Sequence, residues 1–488
     1  MGKAVYRSDV ALIGAGIMSA TLGTFLTELA PYKSITIFEK QPDIGLENTN
    51  GWNNSGTGHS AFCELNYTPE NIDGSIDVGT ALNINKKFQL SLEMWAYLIE
   101  QGRISSPEDF IHRLPHISFV KGEKNVHFLK QRFSTLLKEP AFTNMLYSED
   151  PTTLAEWMPL IMSKQDTSEP IAATYVPNGT DVNFGALSRK LFDYLQQEGV
   201  ELKLNHKVKD IQKIVGGWRI SITNAKGQDI THFCKFLFIG CGGGSLPLLQ
   251  KTGIPESKHL ASFPMSSLFM VCHNPEIIAQ HHAKVYGRSN TNTSQISVPH
   301  LDTRFIDGKK YLFFGPFSGF TMKFLKSGSI FDLAKSLNPH NFVEVHWAGI
   351  KNLPLAHYLI KQTFLTKEQR MNELRHFIPQ AKSEDWDIVT AGNQVQIIKN
   401  TPNEKAKRCF GAEPIISEDG SIATLLGSSF GASASVAEVL NILSKCFSDE
   451  FSQWQEKLNE MLPSQANLFT NRAELENYYI KINNILKL

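Results

Sequence analysis

Several features that mark whole classes of protein are missing from this chain. Charge of one sign is not in excess: 48 Lys and Arg face 48 Asp and Glu, with a pI near 7.2. No electrostatic footprint for nucleic acid is present, and no nucleic-acid partner is expected. The six cysteines, Cys63, Cys234, Cys241, Cys272, Cys409 and Cys446, include no CxxC pair, and none of the 15 histidines belongs to an HExxH motif. A metal site has no signature here, and buried free thiols are the expectation. No apolar run reaches the roughly 18–20 residues that span a bilayer, and no signal-type apolar core precedes the first strand. The expectation is a soluble or peripheral cytoplasmic protein. Internal repeats and low-complexity tracts are absent, and nothing specifies an oligomeric state. At 488 residues the chain exceeds one ordinary core, so two or more domains are expected.

What is present starts within the first forty residues. An apolar run, Val10-Ala11-Leu12-Ile13, ends in Gly14-Ala15-Gly16, a helical run follows, and Ile35-Thr36-Ile37-Phe38 leads to Glu39. This reads as strand, tight turn, helix and strand with a terminal acid. A dinucleotide's pyrophosphate needs backbone N–H groups at a helix N-terminus with no side chain in the way; Gly14 makes the turn and Gly16 admits the phosphates. Ser19 replaces the third glycine, whose task is only close packing of helix on strand. Glu39 lies where a carboxylate accepts hydrogen bonds from a ribose 2′-hydroxyl.

Three further segments read as parts of the same unit. Asn50 to Ala61, including Ser55, Gly56, Thr57 and Gly58, is rich in small and amide residues that let backbone approach a flat ligand. Phe236 to Ser245 is a buried-type strand entering glycines, and it is expected to close the nucleotide-binding sheet. Ala423 to Ser435 places a second small-residue turn, with Gly427, Ser428, Gly431 and Ala432, before a helix over Val436 to Leu443. Between them lie insertions over 86–174 and 261–384. The first is helical, with Phe88, Leu92, Trp95 and Ile99 on one face; the second alternates like strands around an Asp307-Gly308 turn, with Gln295 to Phe305 as one of them. The expected organisation is a discontinuous nucleotide domain (1–85, 175–260, 385–445), a substrate domain (86–174, 261–384) and a C-terminal helical tail (446–488).

With GAGIMSATLGTFL, NNSGTGHSAFCELNYTP, TDVNFGALSRKL, VPHLDTRFIDGKKYLFFGPFSGF, VQIIK and LLGSSFGASASV in order, the chain closely resembles the malate:quinone oxidoreductases, from about Asp9 to Pro463. The resemblance implies an α/β fold, a discontinuous Rossmann-like FAD-binding domain with an inserted α+β substrate domain. It also implies FAD as cofactor, oxidation of malate to oxaloacetate in the tricarboxylic acid cycle, and membrane quinone as electron acceptor. A related flavin enzyme acting on another 2-hydroxy acid, such as 2-hydroxyglutarate, with oxygen as acceptor, is the nearest alternative. A non-enzymatic nucleotide sensor is a third. One departure stands out: Gln394 occupies a position where the family is expected to carry Arg.

Oxidising an alcohol beside a carboxylate needs a hydride acceptor, a base and cations that orient the acid. Period-two geometry over Val298 to Phe305 puts His300, Asp302 and Arg304 on one face, an imidazole, its orienting carboxylate and a fork for a substrate carboxylate. His59, in the loop that runs along the isoalloxazine in related flavin enzymes, competes for the role of base, and the residues do not choose between the two histidines. Lys399 is a second candidate cation. The flavin's pyrimidine edge is expected against the Gly427 to Ser433 turn. Quinone lies in the membrane, so a peripheral contact on the inner face of the cytoplasmic membrane is expected. The tail, with Leu475, Tyr478, Tyr479, Ile482, Ile485 and Leu486 at helical spacing, is one candidate for it, a helix docked on the core being the commoner reading of such a stripe.

Overall fold

Apolar strands without polar alternation bury both faces, and here they build a parallel sheet. In the computed structural model, which describes residues 4–288, 298–401, 404–409, 411–428, 431–466, 468–469 and 472–488, Val5–Ile13 lies between Ile35–Phe38 and Asp229–Ile239 and runs parallel to both. Glu201–Lys203 adds to one side and Ile422–Ser428 to the other, again in parallel. The strand expected to close this sheet, ending at Ile239, therefore lies inside it. Antiparallel strands Gly411–Ile416, Gly217–Thr223 and Lys207–Ile214 complete the eight. Helix Ile17–Leu29 packs Leu22, Phe25 and Leu26 over Val10, Leu12, Ile35 and Ile37, so its N-terminus sits at the carboxyl ends of the strands, where open α/β sheets bind ligands.

A second sheet of ten strands is mixed, and its centre is antiparallel, with Ala261–Cys272 beside Lys309–Phe320 and then His300–Ile306 and Lys284–Tyr286. The Asp307-Gly308 turn has φ of 50° and 74°, the doubly positive geometry of a tight hairpin, which joins His300–Ile306 to Lys309–Phe320 in the expected register. Residues Gln295 to Ser297 of the expected strand lie outside the described residues.

Sheet membership and core packing group the chain differently from the expected division. Trp386–Thr390, Gln394–Thr401 and Glu404–Cys409, expected in the nucleotide unit, pair within the ten-stranded sheet, and only from Gly411 does the chain join the first one. Helix Gly79–Glu100 buries Phe88, Leu92 and Trp95 in the core of the nucleotide sheet, because its apolar stripe meets helix Ser435–Cys446 there. The tail helix Arg472–Ile485 also docks on this core through Ile482, with Leu486 just beyond it, both buried, and with Tyr478, Tyr479 and Ile485 packed alongside. Its apolar stripe is covered by protein, the commoner of its two readings, and is not available as a membrane contact.

Candidate active site

A cavity of about 550 Å³ runs from the first glycine turn to the ten-stranded sheet. At one end Gly14 has φ of 100°, and a Cβ on it would stand 2.5 Å from the carbonyl oxygen of Gly240. No L side chain fits there. Gly16 precedes helix Ile17–Leu29, whose first turn carries no acid, so its N–H groups and dipole present positive potential to the cavity. Glu39, at the end of the second strand, also lines it, and its carboxylate accepts from the Ala15 N–H at 2.7 Å and the Gln41 N–H at 2.8 Å. Gly427, at φ of 95°, and Gly431 and Ala432 line the cavity as well. These features fit FAD: a side-chain-free turn and helix N-terminus for the pyrophosphate, and a carboxylate at the strand end for the ribose.

Of the other residues expected around the cofactor, Ser55, Gly56 and Thr57 line the cavity, whereas Ser19 and Gly58 do not. Ser19 is fully buried against Gly240, and Gly58 is pressed on Thr180 and Phe88 where a Cβ would collide with both. Both positions serve packing behind the cavity wall. The Ser428 side chain lies outside the described residues, as do Ser429 and Phe430.

The far end of the cavity holds both candidate histidines. His59 Nδ1 is hydrogen-bonded to Glu64 Oε1 at 2.6 Å. Burial pushes the Glu64 carboxyl up, but the hydrogen bond and charge of His59, with His116 nearby, outweigh it and bring the group down to about 2. The His59 N–H is itself held by Ser433 Oγ at 3.3 Å, and that hydroxyl donates to the Thr57 carbonyl, which ties the loop to the last glycine turn. His300 has an analogous partner, with Nδ1 2.7 Å from Asp302 Oδ2, and its ring stacks on Tyr286 at 3.9 Å between centroids. Asp302 is fully buried behind His300 and does not reach the cavity. Burial raises its carboxyl, while His300, Lys284 and Arg304 pull it below the usual range.

Two expected substrate contacts are placed elsewhere. Arg304 shares the strand face with His300 and Asp302 but is fully buried, with Nε 2.8 Å from Asp181 Oδ1 and a guanidinium nitrogen on the Asn54 carbonyl. The guanidinium lies directly behind Gly56, where a Cβ would overlap it, so the loop backbone separates it from the cavity. Lys399 leaves the cavity altogether: its ammonium binds the Glu413 carboxylate at 2.6 Å on the neighbouring sheet. Among the described residues lining the cavity there is no arginine, and Gln394 stands on its wall as a neutral donor.

Several site residues escape reading by motif. Antiparallel pairing of Lys284–Tyr286 with His300–Ile306 sets Tyr286 opposite His300 and Lys284 opposite Asp302. Lys284 Nζ lies 3.0 Å from Asp181, 4.0 Å from Asp302 and 2.7 Å from the Ser55 carbonyl. The buried set is two cations and two carboxylates, balanced in charge. Tyr286 OH bonds Thr57 Oγ1 at 2.8 Å, and Tyr67 lies 3.4 Å from His59 Nδ1. Burial, with the carboxylates nearby, pushes both phenols well above their ordinary range, so they remain neutral. The one available signal was alternation in Lys284-Val285-Tyr286, too short to assign a partner strand.

The malate:quinone oxidoreductase (Mqo) family model matches residues 6–488. A probable malate:quinone oxidoreductase of Actinobacillus pleuropneumoniae serotype 3 is 57% identical over 469 residues, covering 96% of this chain and 94% of the relative. One from Exiguobacterium sp. is 54% identical over 477 residues, covering 97% and 96%. Among solved structures, the chain is similar in fold to L-alpha-glycerophosphate oxidase from Mycoplasma pneumoniae with FAD bound (TM-score 0.59, 11% identity, 90% of this chain and 95% of that one). It is also similar to glycine oxidase from Geobacillus kaustophilus (TM-score 0.57, 15% identity, 91% and 95%).

Proposed function

The chain belongs to the malate:quinone oxidoreductase family, and we propose that it oxidises (S)-malate to oxaloacetate and delivers the electrons to a membrane quinone as a step of the tricarboxylic acid cycle. The observation that carries this reading is the pair of imidazoles, each backed at Nδ1 by its own buried carboxylate, in the cavity that begins at the glycine turn. When bound, FAD supplies the acceptor for the hydride that leaves malate C2. The residues supply the rest.

Donation from His59 Nδ1 to Glu64 selects the tautomer whose Nε2 lone pair takes the malate hydroxyl proton, and the carboxylate stabilises the imidazolium that results. We assign His59 as the base and His300, steadied by Asp302 and by stacking on Tyr286, as the hydrogen-bonding partner of the substrate. With no arginine among the described lining residues, the substrate carboxylates are met by neutral donors, Tyr67, Tyr286 and Gln394, together with His300. Arg304 and Asp181 act from behind, as a rigid support for the Gly56 loop.

Anaerobic mixing of the purified, flavin-containing protein with malate is expected to bleach the flavin absorbance, and a soluble quinone is expected to restore it faster than oxygen does. Bleaching by 2-hydroxyglutarate but not malate, or reoxidation by oxygen in preference to quinone, overturns the assignment.

A further inference from the structure

Half of the large hydrophobic side chains that stand exposed among the described residues fall between Met322 and Phe364. Six of these ten lie on, or at the end of, two consecutive helices that are apolar on both faces. Helix Phe342–Lys351 turns Val345 and Ala348 to Ala261 and Ile398, and helix Leu353–Thr363 turns Leu355 and Leu359 to Met265. Ala261, Phe263 and Met265 alternate along one strand and so share one face of the ten-stranded sheet. Both helices therefore cover the same face, and their outer surfaces point the same way, away from it. Those outer surfaces carry Phe342, Trp347 and Ile350 on the first helix and Leu353 and Ile360 on the second, with Phe364 at its end; Phe364 is 79% exposed.

Charge on this segment is one-sided in a chain that is neutral overall. From Met322 to Phe364 there are five lysines against Asp332 and Glu344. Lys335 and Lys361 are exposed around the apolar face, while the Asp332 carboxylate is occupied by the N–H groups of Phe324 and Ser329. An isologous contact with a second copy would set these lysines against one another. Anionic lipid headgroups complement them, with aromatic rings at the interfacial level and lysine stems reaching outward. The segment is also continuous with the active site: Leu325, near its start, and Pro316, on the strand leading to it, line the cavity.

We propose that the outer face of helices Phe342–Lys351 and Leu353–Thr363 docks this protein on an anionic bilayer surface, beside the wall of the cavity where quinone is reduced. The docking stands on the exposed surface; its purpose rests on the quinone reading above.

The test uses the purified flavin-containing full-length protein and flotation with vesicles of phosphatidylcholine alone or with phosphatidylglycerol. Binding is expected only to the anionic vesicles, falling with added salt. Trp347→Glu/Phe364→Glu is expected to lower the bound fraction by on the order of tenfold or more, and each lysine in Lys335→Gln/Lys361→Gln to be worth about fivefold. Malate-dependent reduction of a water-soluble dye is expected to be unchanged in both variants, which separates loss of docking from loss of catalysis. Should the double variant lose its flavin, the lysine variant alone decides. Anionic-vesicle binding that both variants retain overturns the proposal. So does a wild-type dimer that these substitutions dissociate, with no vesicle binding.

Discussion

His59 and Glu64, five residues apart, are joined by a 2.6 Å hydrogen bond at the cavity wall, and the carboxylate is held ionised down to about pH 2. A base needs such an orienter to keep one tautomer and to stabilise its charged form. His59→Ala is expected to slow flavin reduction by malate about 10²–10⁴-fold in a single turnover, and Glu64→Gln by a smaller factor in the same step. Reoxidation by quinone does not use this base and should stay near wild type. If His300→Ala slows flavin reduction while His59→Ala does not, the two roles exchange.

Arg304 is a support for the loop, and its substitution should register first as instability. Removing it leaves Asp181 buried with Lys284 as its one remaining ion-pair partner among the described residues. Urea unfolding of Arg304→Ala is expected to show a loss of about 3–5 kcal/mol, the cost of breaking a buried ion pair from one side. A variant of unchanged stability with a much weakened KM for malate would return Arg304 to the substrate.

The glycine turn has no room for a side chain. Gly14→Ala puts a methyl at the Gly240 carbonyl and Gly16→Val fills the helix N-terminus, so both proteins are expected to purify without the flavin's yellow absorbance. A yellow, fully active Gly16→Val would place the cofactor elsewhere.

Glu93 links pH to the docking of the C-terminal segment. It accepts from the Ser464 N–H at 3.1 Å, and burial, only partly offset by hydrogen bonds from Ser464 and Tyr478, raises its carboxyl to about 7. An unfolded glutamate releases its proton near 4.5, so between that value and about 7 the folded state holds one proton more. Raising pH through this window is therefore expected to cost stability, on the order of 2–4 kcal/mol, with no further loss from this group above it. Glu93→Gln should flatten that part of the profile in thermal unfolding, and an unchanged slope would assign it to another group.

Local pattern was enough for the nucleotide end of the site. Gly14, Gly16 and Glu39 line the cavity because a helix packed on two parallel strands brings the turn and the second strand's end to the same edge of the sheet, and that unit is written within forty consecutive residues. The hairpin at Asp307-Gly308 was legible for the same reason, since its turn geometry needs only those two residues. Alternation also put His300, Asp302 and Arg304 on one strand face, but alternation says nothing about what that face meets. Asp181, more than a hundred residues away, claimed the guanidinium, and the Gly56 loop closed over it. Glu413, from the other sheet, likewise claimed Lys399. The tail shows the same limit: its apolar stripe was plain in the sequence, yet a stripe buried on protein and a stripe offered to lipid have the same period. Only the packing of Ile482 and Leu486 into the core, and of helices 342–351 and 353–363 on one sheet face with their outer sides bare, tells the two apart. Spacing along the chain determines which side chains travel together; which partner satisfies each charge and each apolar face is decided by contacts between elements that only the tertiary structure brings together.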